Sequence, residues 1–161
     1  MSRRTDRDPA WFNAIGRGTL PELMGMNVVA VGEGRLVLEM AVRADLMAPN
    51  GFLHGGSVVS LADTATGYAT VAHLPEGAES FTTLELKMNF LGTARQGRVR
   101  AEASAVHLGR TTQVWDATCH ANGSDRAIAH FRCTQMILYA RPGAVISSPV
   151  ATALAAHPAV T

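Results

Sequence analysis

Basic charge comes to this chain in almost one form only: Lys87 is its single lysine, and every other cationic residue is an arginine. Charged residues make up 17% of the 161 positions, and the formal net charge is +1. That balance gives no support to a nucleic-acid partner or an acidic membrane surface. Cysteine is scarce too. Cys119 and Cys133 have no CxxC spacing and no ligand cluster nearby, so they read as buried free thiols. The histidines show no spacing of a metal site, and no metal or cofactor is expected. No apolar run approaches the ~20 residues of a membrane span, and the basic N-terminus MSRRTDRDPAWF lacks an apolar signal core. A cytoplasmic protein is the expectation. With 47% apolar residues, the length suits one domain with a sizeable core.

The poverty of charge is extreme between Leu46 and Pro75, where Asp63 is the only charged side chain. It sits in Asn50-Gly-Phe-Leu-His54-Gly55-Gly56 followed by SVVSLADTATGYATVA, a stretch dominated by small residues. A carboxylate there needs a partner or a cleft, because burying an unpaired charge is costly. Burial also shifts a carboxylate's pKa, a common mark of acid–base or nucleophilic work. Gly55 and Gly56 expose backbone N–H groups where a helix begins, a ready site for a developing oxyanion. The bland readings are a structural carboxylate and glycines that merely turn the chain into the helix. His54, at the helix entry, reads as an organiser of the loop more than as a base.

Around this segment the pattern is mostly β. Residues 8–16 predict a short helix capped by Asp8 with Pro9 in its first turn, and a second short turn starts at Pro21. Residues 27–42 predict two strands joined at Gly32-Glu33-Gly34. Residues 55–72 are long enough for about five helical turns. Strands follow over 81–91, 98–108, 112–121 and 126–139, with Asn122-Gly123 a strong hairpin signal. In the first of these, Leu84, Leu86, Met88 and Phe90 alternate with Thr83, Glu85, Lys87 and Asn89, which puts Thr83 on the polar side. A strand pair, one long helix and a four-strand meander argue an α+β fold. We divide the chain into an N-terminal helical segment (1–26) packing on the domain, the domain itself (27–140) and a loose C-terminal tail (141–161).

NGFLHGGSVVSLADTATGYA, set between a hairpin and a run of strands, resembles the hotdog-fold acyl-CoA thioesterases over roughly residues 20–138. The likeness is closest to the phenylacetate-degradation (PaaI-type) and 4-hydroxybenzoyl-CoA thioesterase branch. It implies an antiparallel sheet wrapped around one central helix, an acyl-CoA substrate and no cofactor. By position, Asp63 matches the catalytic carboxylate, Gly55 the N–H donor to the thioester carbonyl, and His54 the residue opening the motif. Asn50 joins them as a candidate. Gly56, Thr66, Thr83 and the turn Gly109-Arg110-Thr111, which borders the CoA moiety in relatives, are implied on the substrate side. Two positions depart from the pattern. Relatives often carry Gln or Asn six residues before the His, where this chain has Ala48, and some carry Ser or Thr four after the acid, where it has Gly67. Phe52 and Tyr68 are candidates for the pocket floor.

Gly55 and Asp63 are eight residues apart, about 12 Å along one helix. Reacting atoms must approach within about 3–3.5 Å, so one chain cannot offer both to one thioester. Two helices packed antiparallel remove the difficulty, and a two-fold axis then makes two mixed sites. A homodimer with shared active sites, stacking into a homotetramer, is the expectation. Asp63 either activates water or attacks the thioester itself. A hydratase or dehydratase needs a second base near the acid, and an acyl-CoA sensor usually carries a DNA-binding module; neither feature is visible.

Overall fold

Asp8 starts the first helix by accepting the Trp11 amide at 2.7 Å, with Pro9 in the opening turn of α1 (Pro9–Ile15). A single further turn, α2 (Leu20–Leu23), follows. Both elements were expected. The segment is strapped to the sheet by Asn13, whose side chain exchanges two hydrogen bonds with the Val28 backbone. Phe12 is fully buried and stacks on Tyr68 at 5.0 Å between centroids. The computed structural model describes Arg4, residues 6–121 and residues 123–140. The tail expected over 141–161 lies outside the described residues.

Six strands form one antiparallel sheet: β1 (Met26–Gly32), β2 (Arg35–Ala41), β3 (Ala78–Phe90), β4 (Arg98–Leu108), β5 (Thr112–Ala121) and β6 (Ala127–Tyr139). Their order across the sheet is β1-β2-β4-β5-β6-β3. This corrects the expected four-strand meander. Only β4, β5 and β6 follow one another. β2 pairs with β4, and β3 crosses to the far edge beside β6.

Helix α3 (Gly55–Ala72) lies across one face of the sheet. Ala62, Ala65, Ala69 and Ala72 are fully buried, and their small side chains let the helix sit close to the strands. Leu61 supplies the bulk, packing in the same core as Leu38, Met40 and Trp115. Burying such a leucine contributes about 1.5–3 kcal/mol. The helix end is pinned by His73. Its Nδ1–H donates to Ala69 O at 2.8 Å, its Nε2 accepts the Gly34 amide at 2.9 Å, and its carbonyl accepts Gln113 Nε2 at 2.8 Å. These bonds place the C-terminus of α3 beside the β1–β2 turn and the start of β5. Among the described residues no helix is long and apolar enough to cross a membrane.

A β-bulge corrects the expected facing of β3. Thr83 pairs with Gln135 but Glu85 pairs with Thr134, so one extra residue of β3 is inserted between them. The alternation changes phase there. Thr83 falls on the helix side with Phe81, ahead of the bulge, while Leu86, Met88 and Phe90 take that side after it. Both cysteines are buried free thiols, as expected.

Candidate active site

The start of α3 is built by short local bonds. Asn50 Oδ1 accepts the Phe52 amide at 3.3 Å, and Gly51 has φ +80°, a conformation that favours glycine. His54 is the N-cap: its Nδ1 accepts the Gly56 amide at 2.8 Å, which leaves its proton on Nε2. Ser57 and Val58 donate to the His54 carbonyl. The Gly55 N–H, first amide of the helix, makes no hydrogen bond among the described residues. It lies at the positive end of the helix dipole, free for an anionic oxygen.

Packing also accounts for the glycines. A Cβ on Gly55 would stand 3.1 Å from the Phe90 ring, and one on Gly67 would stand 3.1 Å from the Phe81 ring. Gly67 therefore stands where some relatives carry a hydroxyl because Phe81 occupies the space. These two contacts show that β3 runs antiparallel to α3 over this face. Thr83, two residues along β3 from Phe81, lies on the stretch of strand between these two contacts. The bulge brings Thr83 to that side, and no strand periodicity could have revealed it.

Asp63 is half-buried, and its Oδ1 is buried without a hydrogen-bond partner among the described residues. Burial pushes its carboxyl above the usual carboxylate range. The polar groups of the next helical turn and of β6 bond the helix backbone or one another. Thr66 bonds the Ala62 and Asp63 carbonyls at 3.1 and 3.0 Å, so its hydroxyl is engaged by the helix itself. Behind it, Cys133 Sγ lies 3.3 Å from Thr66 Oγ1 and 3.3 Å from Gln135 Nε2.

Gly109, Arg110 and Thr111 are not at this end of the chain. The β4–β5 turn lies near the C-terminus of α3, where Gln113 holds His73 and Tyr139 Oη donates to Arg110 O at 2.6 Å. Gly109 is required by its backbone surroundings, since a Cβ there would meet Thr112 O at 2.7 Å. Phe52 and Tyr68 have different surroundings within one chain. Tyr68 lines a cavity of about 230 Å³ with Phe12, Gly16, Met26 and Leu38. Phe52 instead carries the Arg95 guanidinium 4.2 Å above its ring. That contact joins residues 43 positions apart, and sequence reading missed it. Among the described residues no three His, Cys, Asp or Glu side chains gather to hold a metal ion.

One long helix across an antiparallel sheet, with a free N–H at its start and an unpartnered acid two turns on, defines a hotdog protein with the parts for acyl transfer. Residues 50–128 match the model of the Thioesterase superfamily. A 1,4-dihydroxy-2-naphthoyl-CoA hydrolase from Listeria monocytogenes is 33% identical over 115 residues, covering 71% of this chain and 92% of the hydrolase. The crystal structure of a mutant thioesterase from Pseudomonas aeruginosa is similar with TM-score 0.80 and 31% identity, over 86% of this chain and 99% of that one. A mutant thioesterase from Staphylococcus aureus has TM-score 0.69 and 31% identity, over 73% and 97% of the two chains. The chain belongs to the thioesterase superfamily and is a thioester hydrolase. In two mutants of the Staphylococcus aureus protein a glutamine and a glutamate fifteen positions apart are replaced by alanine. Ala48 and Asp63 have the same separation here.

Proposed function

We propose that the protein hydrolyses an aromatic or medium-chain acyl-CoA to the free acid and CoA, in a dimer whose two sites each draw on both chains. The observation that carries the reading is the pairing on one helix of the free Gly55 N–H with Asp63, whose carboxyl burial pushes above the usual carboxylate range. Gly55 N–H and the helix dipole stabilise the oxyanion. The partner's Asp63 takes the proton of the attacking water, or adds to the carbonyl itself to give a mixed anhydride that water then hydrolyses; in either route the CoA thiolate leaves. The 18-residue helix is unbroken, so the separation of about 12 Å between Gly55 and Asp63 holds and one chain cannot serve one thioester alone.

β3 supports the dimer. It is an edge strand, and it exposes Leu86 and Phe90 on the side of the sheet that carries α3. Pairing two such edges buries both and brings the two helices alongside; stacking of dimers into a tetramer follows the same reading. Thr83, on the helix side of β3 between the Phe81 and Phe90 contacts, is the candidate to steady the water, and the Arg110 turn borders the CoA moiety. The relatives' acyl-CoA substrates are in keeping with this reading. A hydrolysis screen over aryl, short, medium and long acyl-CoAs with a thiol-trapping reagent tests it. Turnover of aryl or medium-chain thioesters is expected, and no thiol release from any of them would overturn it.

A further inference from the structure

Residues three and four positions to either side of Asp63 are its neighbours on the surface of α3: Val59, Ser60, Thr66 and Gly67. Their side chains offer its carboxyl no proton. Val59 is apolar. Ser60 Oγ donates to Gly56 O at 2.9 Å, and Thr66 Oγ1 lies 3.1 and 3.0 Å from the Ala62 and Asp63 carbonyls. Gly67 has no side chain. A Cβ there would meet Phe81 Cζ at 3.1 Å and Cε2 at 3.8 Å, and among the described residues nothing else comes within 4 Å. Helical side chains lean over the turn before them, so one at 67 would cover residue 63. Phe81, reaching in from β3, puts the edge of its ring in that place.

Charged groups of the strands pair on the other face of the sheet. Cys133 faces α3 and bonds Thr66, so the adjacent Arg132 points away, together with Asp116 and Lys87, which pair with it. Glu85 bonds Thr134 on that same face, and the Arg35–Glu102 and Arg98–Glu39 pairs lie there too. The titratable groups on the helix side are two thiols, the Tyr68 phenol and the histidines at the ends of α3. Burial pushes Cys119 and Tyr68 up to about 12. It also raises Cys133, and the nearby Asp63 carboxylate adds to that rise. His73 is fully buried with both ring nitrogens bonded, and His54 caps the helix nine residues before Asp63.

We propose that Phe81 is a positioning residue for the reaction: it takes the place of a side chain at 67, closes that side of Asp63 to water and to any hydrogen-bond donor, and so keeps the carboxylate a stronger base or nucleophile than an exposed one. The inference rests on the thioesterase reading, in which Asp63 takes a proton or attacks. A carboxylate that accepts hydrogen bonds is stabilised in its charged form and is the weaker base. At Asp63 the helix withholds its donors and β3 supplies the apolar cover.

The test is the pH profile of kcat/KM, with the Asp63 carboxyl followed by carbon NMR in the same proteins. Phe81→Ala admits water beside the carboxylate, so the acid limb should move down by about half a pH unit or more, and the plateau should fall with the weaker base. Phe81→Leu keeps an apolar group in the space and should stay close to wild type. Gly67→Ser gives Asp63 a donor and should also lower the limb; it requires the Phe81 ring to give by only a few tenths of an ångström, so it decides the matter if Phe81→Ala does not fold. Repeating the profiles in His54→Asn separates the titration of His54 from that of Asp63. A loss of rate at every pH with the limb unmoved would make Phe81 a packing residue and overturn the proposal. So would a shift in Phe81→Leu as large as that in Phe81→Ala, or an unmoved limb in Gly67→Ser. Should the wild-type protein cleave no acyl-CoA, the thioesterase reading fails by itself. The NMR titration then decides the role of Phe81: a lower Asp63 midpoint in Phe81→Ala supports it, and an unchanged midpoint overturns it.

Discussion

His54 Nδ1 accepts the Gly56 N–H at 2.8 Å, so the imidazole that opens the HGG motif is occupied in capping the helix it precedes. An asparagine side chain can accept the same bond, and it cannot act as a base. His54→Asn should therefore keep most of the thermal stability and most of the activity. His54→Ala should lose about 0.5–2 kcal/mol of stability and much of the turnover, because the Gly55 amide is no longer held in place. Melting curves and thioester assays on the two variants check this. Equal inactivity in both, with His54→Asn fully folded, would make His54 a base.

The proposed hydrolysis rests equally on Asp63, and an amide in its place can neither deprotonate water nor attack. Asp63→Asn should fold and lose thioester hydrolysis. More than about a tenth of wild-type turnover, or less than ~1.4 kcal/mol of lost barrier, in a variant folded by circular dichroism would remove Asp63 from catalysis.

The same residue gives a pH dependence with a definite sign. Burial raises the folded-state pKa of Asp63 above the ordinary value of 3.8. Between the unfolded and the folded pKa the native protein binds the extra proton, so the contribution of Asp63 to stability is fully present below pH 3.8 and is lost as pH rises through the folded pKa. Asp63→Asn should then melt higher than wild type at pH 7, and the difference should shrink on acidification. The acid limb of kcat/KM for the wild type should lie above the usual carboxylate range. A variant less stable than wild type at pH 7 would contradict the burial account.

Gly109 carries a purely structural expectation. Its missing Cβ would stand 2.7 Å from the Thr112 carbonyl, a backbone atom that cannot swing away. Gly109→Ala should cost about 1–3 kcal/mol in chemical denaturation. A smaller loss would mean that the β4–β5 turn shifts freely.

The helix and the motif at its start were legible because they are written locally. Ala72 closes a stretch from Gly55 with one charge and no period of two, and His54-Gly55-Gly56 marks its start. The bounds of β4 and β5 follow from alternation and turn residues in the same way. Thr83 was not legible: Thr-Thr-Leu-Glu-Leu alternates without a visible break, and only pairing with Gln135 and Thr134 reveals the inserted residue. Nor does any local pattern record that β3 pairs with β6 and β2 with β4, since those choices depend on how α3 is covered. Arg95 over Phe52 belongs to the same class, a contact made when two loops are stitched through Leu53 and Ala94.

Activity should require two chains in each site, and complementation between two dead variants tests it. Gly55 is the first residue of α3, where proline is well tolerated, and His54 before it has ψ 136°, the extended backbone that a following proline demands. Gly55→Pro therefore removes the N–H with little strain in the chain, at the cost of a small shift of the Phe90 ring. A mixed dimer of Gly55→Pro and Asp63→Asn chains holds one site with both changes and one with neither. Mixing the two inactive homodimers should restore up to half the wild-type activity per dimer, after correction for the mixed fraction. No rescue in confirmed, folded heterodimers would mean that each chain builds its own site, and the antiparallel pairing of α3 would have to be abandoned.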